Sequence, residues 1–344
     1  MESAALKEQS HLTTNQVALD KHWQSARSVL LGLLFGAAFL ILASRDTSFQ
    51  GFLDTLQTAR PRLIFLGILV YVLYLLARAS RWSLLLAERT TTRPFAVLFR
   101  AVTWGTAANT IIPHSGEVLR TFATRGPLGI SATSILGTIA AERLYDFSTV
   151  ILLTSITLLL FRESPPILMA ALLAICVMGL VILTGLLLIG FKYRVIMRVV
   201  DVFTRLLPSS YRGAAQWQVD ELGLGIRAAF TNRRLPWIIL LSLCQWLCVT
   251  GCIYLSIESI SLGVSPWLAL IVLPLTIAGL SLPTAPVYLG TIQVCFLAGL
   301  TPFGISNEAA IAASVAYLSI VTIPILAASF IWYLLYLAIR RKTL

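Results

Sequence analysis

Apolar residues in this chain come in long unbroken blocks separated by short polar stretches. Six blocks, 28–44, 63–87, 131–161, 166–190, 235–259 and 308–338, hold 17 or more residues each. At 1.5 Å per residue such a helix crosses a hydrocarbon core about 30 Å thick. The short alternating segments of a membrane β-barrel are missing from the pattern. Two further apolar pieces, 95–112 and 266–282, are each followed by a stretch broken by proline and glycine: Asn109 to Glu117 in the first case, Ser281 to Gln293 in the second. The pattern predicts an all-α integral membrane protein with about six full transmembrane helices plus two re-entrant helical hairpins.

Composition agrees with this reading. Of the 344 residues, 58% are hydrophobic and 12% charged, about half the charged share of a soluble domain. The net charge of +11 suggests nucleic acid at first sight. The basic residues, however, sit between the apolar blocks, where the positive-inside rule puts them, so no nucleic-acid partner is expected. Lys192, Arg194, Arg198, Arg205, Arg212, Arg227, Arg233 and Arg234 crowd one connector, and Arg340, Arg341 and Lys342 close the chain. Placing both clusters in the cytoplasm leaves Arg45, Arg60, Arg62 and Arg162 facing outward. The five cysteines all fall in apolar blocks, which argues against a disulfide framework. Cys244, Cys248 and Cys252 share a helical face without a His or carboxylate beside them, so helix packing is expected there and no metal site.

This orientation organises the chain. Residues 1–27 form a cytoplasmic N-terminal tail. A first membrane half, 28–190, contains a re-entrant hairpin at 95–130. An amphipathic cytoplasmic connector spans 191–234. The second membrane half, 235–340, contains a hairpin at 264–307. Gly129-Ile-Ser131 precedes one long helix and Gly304-Ile-Ser306 precedes another. With opposite orientations, the halves form an inverted repeat, an arrangement that often brackets a transport site.

Ionisable residues within a bilayer are costly and mark function by default. Glu142, Arg143 and Asp146 lie in one block, with Glu142 and Asp146 on one face and Arg143 in reach of Asp146. They form either an internal ion-pair cluster or the wall of a polar groove. Arg78 and Arg81, three apart, either snorkel to the interface or bind an anionic headgroup, with Trp82 beside them as an interfacial ring. Around the first hairpin tip stand Asn109, His114, Glu117 and Arg120. Arg120 has three open roles: a lipid phosphate, Glu117, or a marker of the cytoplasmic side. Gln293 is the counterpart of Glu117 in the second hairpin. No nucleophile–base pair, phosphate loop, metal ligand set or cofactor-binding pattern is present, so catalytic residues, metals and cofactors are not expected.

The run from Asn109 to Arg120, the segment Ala140-Ala-Glu-Arg-Leu-Tyr-Asp146, Arg78 with Arg81-Trp82, and Pro286, Gly290 and Glu308 resemble the transmembrane-region family of lysylphosphatidylglycerol synthases, which are flippase-like proteins. The chain departs from that family at His114 and Gln293, and it ends at Leu344 without a synthase domain. The resemblance implies a stand-alone, non-enzymatic flippase of the bacterial inner membrane with both termini cytoplasmic. It would move an anionic or aminoacylated phospholipid, or a polyprenyl-linked lipid, along a path of the residues named above. Membrane lipids are then the substrate, with a homo-oligomer or a biosynthetic membrane protein as possible partner. The alternative is a non-transporting scaffold subunit of a lipid or envelope-glycan biosynthetic complex.

Overall fold

The computed structural model describes residues 34, 36–39, 41, 47–87, 90, 94–112, 115–162, 164–191, 233–260, 263–282 and 285–342. The expected tail 1–27, most of the first block 28–44, nearly all of the connector 191–234, and His114 lie outside these residues. Among the described residues the chain is helical and contains no strand. In order come α1 (Phe49–Gln57), α2 (Pro61–Leu86), α3 (Phe95–Ile111), α4 (Gly116–Leu128), α5 (Ala132–Leu160), α6 (Pro166–Phe191), α7 (Leu235–Ile260), α8 (Leu268–Leu280), α9 (Thr291–Leu300) and α10 (Asn307–Lys342). Single 3-10 turns sit at Pro286–Tyr288 and Thr301–Phe303.

Six stretches are long and apolar enough to cross a membrane: Pro61–Leu86, Ala132–Leu160, Pro166–Gly185, Leu235–Ile260, Pro286–Phe303 and Asn307–Leu335. Five coincide with predicted spans. The sixth, Pro286–Phe303, falls where a hairpin is expected, and it is broken at Gly290, whose φ is 83°.

Local chemistry sets the boundaries. Proline opens α2 and α6, where its missing N–H is no loss. The backbone N–H of Arg60 donates to the Ser259 carbonyl at 2.9 Å, tying the start of α2 to the end of α7. The two Gly-Ile-Ser triplets produce the same device. Gly129 and Gly304 both take left-handed φ, 65° and 80°, which glycine adopts without a steric penalty. Ser131 and Ser306 then cap α5 and α10, accepting from the backbone N–H of Ser134 and Ala309.

The centre of the bundle is α2, α7 and α10, with Tyr71, Leu75, Cys252, Ile253, Tyr317 and Ile320 buried among them. Their outer faces are apolar too: Leu69, Leu73 and Leu76 on α2, and Leu240 and Leu247 on α7, are exposed. Surfaces of this kind suit acyl chains rather than water. Two consecutive helix pairs pack closely, α3 on α4 and α8 on α9. The first pair closes over Gly105 and Gly116, the second over Gly279 and Gly299.

Hydroxyl groups meet several backbone carbonyls in the bundle. Pro274 in α8 has no N–H for the Leu270 carbonyl four residues back. The Thr157 hydroxyl of α5 donates to that carbonyl at 3.1 Å. Hydroxyls of Ser148, Thr149, Thr154 and Ser155 likewise donate to carbonyls four residues earlier in α5, which keeps them satisfied in apolar surroundings.

Candidate functional site

Seven charged side chains from three helices meet on the inner side of the bundle. From α2 come Arg78 and Arg81; α4 contributes Glu117 and Arg120; α5 contributes Glu142, Arg143 and Asp146. Arg81 is fully buried, so it does not snorkel to an interface. Its Nη1 donates to Asp146 Oδ1 at 2.8 Å and to the Ser242 hydroxyl of α7 at 3.0 Å, and its Nη2 lies 3.7 Å from Glu142 Oε1. Arg120 Nη1 pairs with Glu142 Oε2 at 2.7 Å, and its guanidinium carbon lies 4.1 Å over the Trp82 ring centre. Trp82, expected at the membrane interface, is buried instead, with its indole N–H donating to the Thr138 hydroxyl at 3.1 Å. A flat cation over that ring and a hydroxyl under its N–H satisfy both faces of an amphipathic group in the interior.

Arg143 provides the link outward. Its Nη2 lies 2.7 Å from Glu117 Oε1, and its Nη1 lies 3.6 Å from Asp146 Oδ2. Asp146 Oδ1 also accepts from Gln245 Nε2 at 2.7 Å and from the Trp246 indole at 3.3 Å. Glu117 is therefore paired with Arg143. Arg120, for which pairing with Glu117 was one of three expected roles, instead neutralises Glu142.

Beside this network lies a cavity of about 420 Å³. The α3–α4 pair, α8 and α9, and helices α2, α5, α7 and α10 all reach it. Of the predicted residues, Arg78, Asn109, Glu117 and Arg143 line it; Arg81, Arg120, Glu142 and Asp146 form the closed network behind. Gln293 is not a wall residue. It is buried, and its Oε1 accepts from the Gly290 backbone N–H at 2.7 Å, capping α9. Asn109 caps the other pair: its Oδ1 accepts from the Gly116 N–H at 2.6 Å.

The two helix pairs touch across the cavity rim. The Tyr288 hydroxyl donates to the Asn109 carbonyl at 2.8 Å. Val287 and Tyr288 hold that hydroxyl in place with left-handed φ of 59° and 57°. This backbone is unfavourable for a β-branched residue and is found where the surrounding structure over-determines it.

Arg78 stands apart. Its Nη1 donates to Tyr74 Oη at 3.0 Å and to Thr106 Oγ1 at 3.5 Å. Among the described residues no carboxylate lies within ion-pair distance of it. Among the described residues, Arg78, Arg81, Arg120 and Arg143 stand against Glu117, Glu142 and Asp146. One positive charge is left over, and it faces the cavity.

The wall residues Tyr71, Tyr74, Trp246, Thr276, Tyr288 and Tyr317 were not among the sequence candidates. Neither was Gln245, although an amide inside an apolar span was a usable signal. Among the described residues no group of His, Cys, Asp and Glu is arranged to hold a metal ion.

Apolar helices enclosing a charged, partly open cavity define a polytopic helical membrane protein with a polar site among its helices. The particular family follows from comparison: the family model described as the lysylphosphatidylglycerol synthase TM region matches residues 29–329, and the chain belongs to that family. Searches against curated proteins and against solved structures gave no match.

Proposed function

We propose that this protein is a lipid translocator of the bacterial inner membrane, with both termini cytoplasmic and no enzymatic step of its own. One observation carries the reading: an arginine with no carboxylate partner among the described residues faces a cavity enclosed by apolar helices. Arg78 lies eight residues before the end of α2, about 12 Å along the axis. In hydrocarbon that position is costly unless water or a ligand solvates it. The α3–α4 and α8–α9 pairs are read as re-entrant hairpins entering from opposite sides, related as an inverted repeat. Their shared Gly-Ile-Ser cap geometry supports this. Non-helical backbone such as Val287–Gly290 survives at membrane depth only where protein or water satisfies it. A headgroup moving through the cavity would avoid hydrocarbon while its acyl chains stay in the lipid beside α2 and α7.

The rival reading is a membrane scaffold without transport. It is favoured by the closure of Arg81, Arg120, Glu142 and Asp146 into a network that bypasses the cavity and would hold a bundle together by itself. Reconstituted proteoliposomes separate the two. Headgroup accessibility is followed for fluorescent anionic, aminoacylated and polyprenyl-phosphate lipids, wild type beside Arg143→Ala. The expected result is movement of one lipid class by wild type and at least a tenfold loss in the variant at equal abundance. Arg143→Ala leaves Glu117 in the cavity without its partner, so abundance is measured beside transport. No movement above empty liposomes by folded wild type would favour the scaffold.

A further inference from the structure

The charge balance of the cavity restricts what it can hold. Each carboxylate of the site is already engaged by an arginine: Glu117 by Arg143 at 2.7 Å, Glu142 by Arg120 at 2.7 Å, and Asp146 by Arg81 at 2.8 Å. Only Glu117 among them lines the cavity, and its Oε2 is buried away from open space. A ligand ammonium therefore meets no available carboxylate, and it meets the positive field of Arg78. A single negative charge meets the reverse situation. Tyr74 and Thr106 fix the Arg78 fork through Nη1, and among the described residues Nε and Nη2 have no protein acceptor. A planar fork with two parallel N–H groups matches a phosphate or carboxylate edge. Because the Tyr74 hydroxyl accepts from Arg78, its own proton is available to the same anion.

Size and charge number narrow the ligand further. A second negative charge would be left uncompensated in a low-dielectric pocket. A volume of about 420 Å³ lies near the lower end of the roughly 300–1,000 Å³ usual for small-ligand sites. It has room for a glycerophospho group, and an oligosaccharide would extend beyond it. From the lone Arg78 fork beside three arginine-paired carboxylates, the geometry points to a site for one phosphodiester monoanion with a small uncharged polar headgroup, in preference to aminoacylated, diphosphate-linked or glycan-bearing lipids. This rests on the translocator reading and names its substrate class. The phosphodiester belongs to a lipid or to a free glycerophosphodiester, and the apolar walls supplied by α8 and α10 favour a lipid.

The test uses the full-length protein in uncharged detergent, with thermal unfolding followed against added ligand. The probes are dihexanoyl forms of phosphatidylglycerol, lysylphosphatidylglycerol, phosphatidate and phosphatidylcholine, with soluble glycerophosphoglycerol as the free source. Phosphatidylglycerol is expected to stabilise the wild type and to bind at least tenfold more tightly than the lysylated or zwitterionic lipid. Arg78→Gln should lose at least tenfold of that affinity, Arg78→Lys should keep part of it, and the exposed Arg125→Gln should keep all. The wild-type selectivity stands as a test even where Arg78→Gln does not fold. Equal or tighter binding of the lysylated lipid or phosphatidate, or unchanged binding by Arg78→Gln, overturns the proposal. Response to glycerophosphoglycerol equal to that of the lipid supports the anion site and assigns it to a soluble ligand. Selective binding without movement in liposomes upholds this site and sinks the translocator reading; movement of lipid with a zwitterion preference does the opposite.

Discussion

Glu142→Gln is expected to cost the folded protein about 3–5 kcal/mol, the range for breaking a buried ion pair by removing one partner. Glu142 is 1% exposed and lies against two arginines that are equally buried. Gln keeps the shape and one acceptor oxygen but removes the charge. Arg120 is then buried without a counter-charge, while Arg81 keeps Asp146 and Ser242. The loss is read as reduced abundance in membranes and an earlier unfolding transition in detergent. Glu117→Gln provides the contrast. Its pair is partly exposed, at 24% for Glu117, and about 1 kcal/mol is expected there. A double change, Arg120→Met with Glu142→Leu, should recover much of the loss, because no lone charge remains. Normal abundance of Glu142→Gln together with lost activity would move the network from structure to function.

Gly116→Ala is expected to force the α3–α4 pair apart at a cost of about 1–3 kcal/mol, the usual range for overpacking. An added Cβ would land on the Gly105 carbonyl oxygen and come within 2.7 Å of the Asn109 side chain. Gly105 cannot yield, because the obstructing atom is backbone. Asn109 cannot yield without giving up its bond to the Gly116 N–H. Displacing Asn109 also moves the carbonyl that receives the Tyr288 hydroxyl, so the fault spreads to the second helix pair and into the cavity. Lipid movement should fall by more than the lost abundance explains. Gly185→Ala in α6, with nothing within 4 Å of the new carbon, is the control and should be neutral or slightly stabilising. Equal behaviour of the two variants would remove the close approach as a cause.

The spans were legible because a bilayer demands length and apolarity, and both are read directly from a chain. Charged residues inside those blocks were equally visible. Their partners were not. The only pairing that helical spacing offers, Arg143 with Asp146, is a long one at 3.6 Å. The short ones join residues far apart in the chain, such as Arg81 with Asp146, 65 positions away. Only the packing of α2, α4, α5 and α7 decides that Arg120 meets Glu142 and leaves Glu117 to Arg143. Trp82 misled for a related reason. A tryptophan near a helix end reads as interfacial, and only the arrival of Arg120 over its ring and Thr138 under its N–H makes the interior favourable. Gln293 was placed opposite Glu117 by hairpin symmetry, but Gly290 exposes a backbone N–H that the nearest amide oxygen satisfies.

The single positive charge carried by the cavity has an electrical consequence under the proposed reading. Loaded with a monoanion, the site is neutral; vacant, it carries +1. A membrane potential would then do little work on the occupied step and would act on the return of the vacant one, by up to about 2.3 kcal/mol per 100 mV for a full charge crossing the field. Lipid movement measured under imposed potassium diffusion potentials of either sign would expose that asymmetry. A rate indifferent to voltage would mean that Arg78 stays fixed in the field while the lipid passes it.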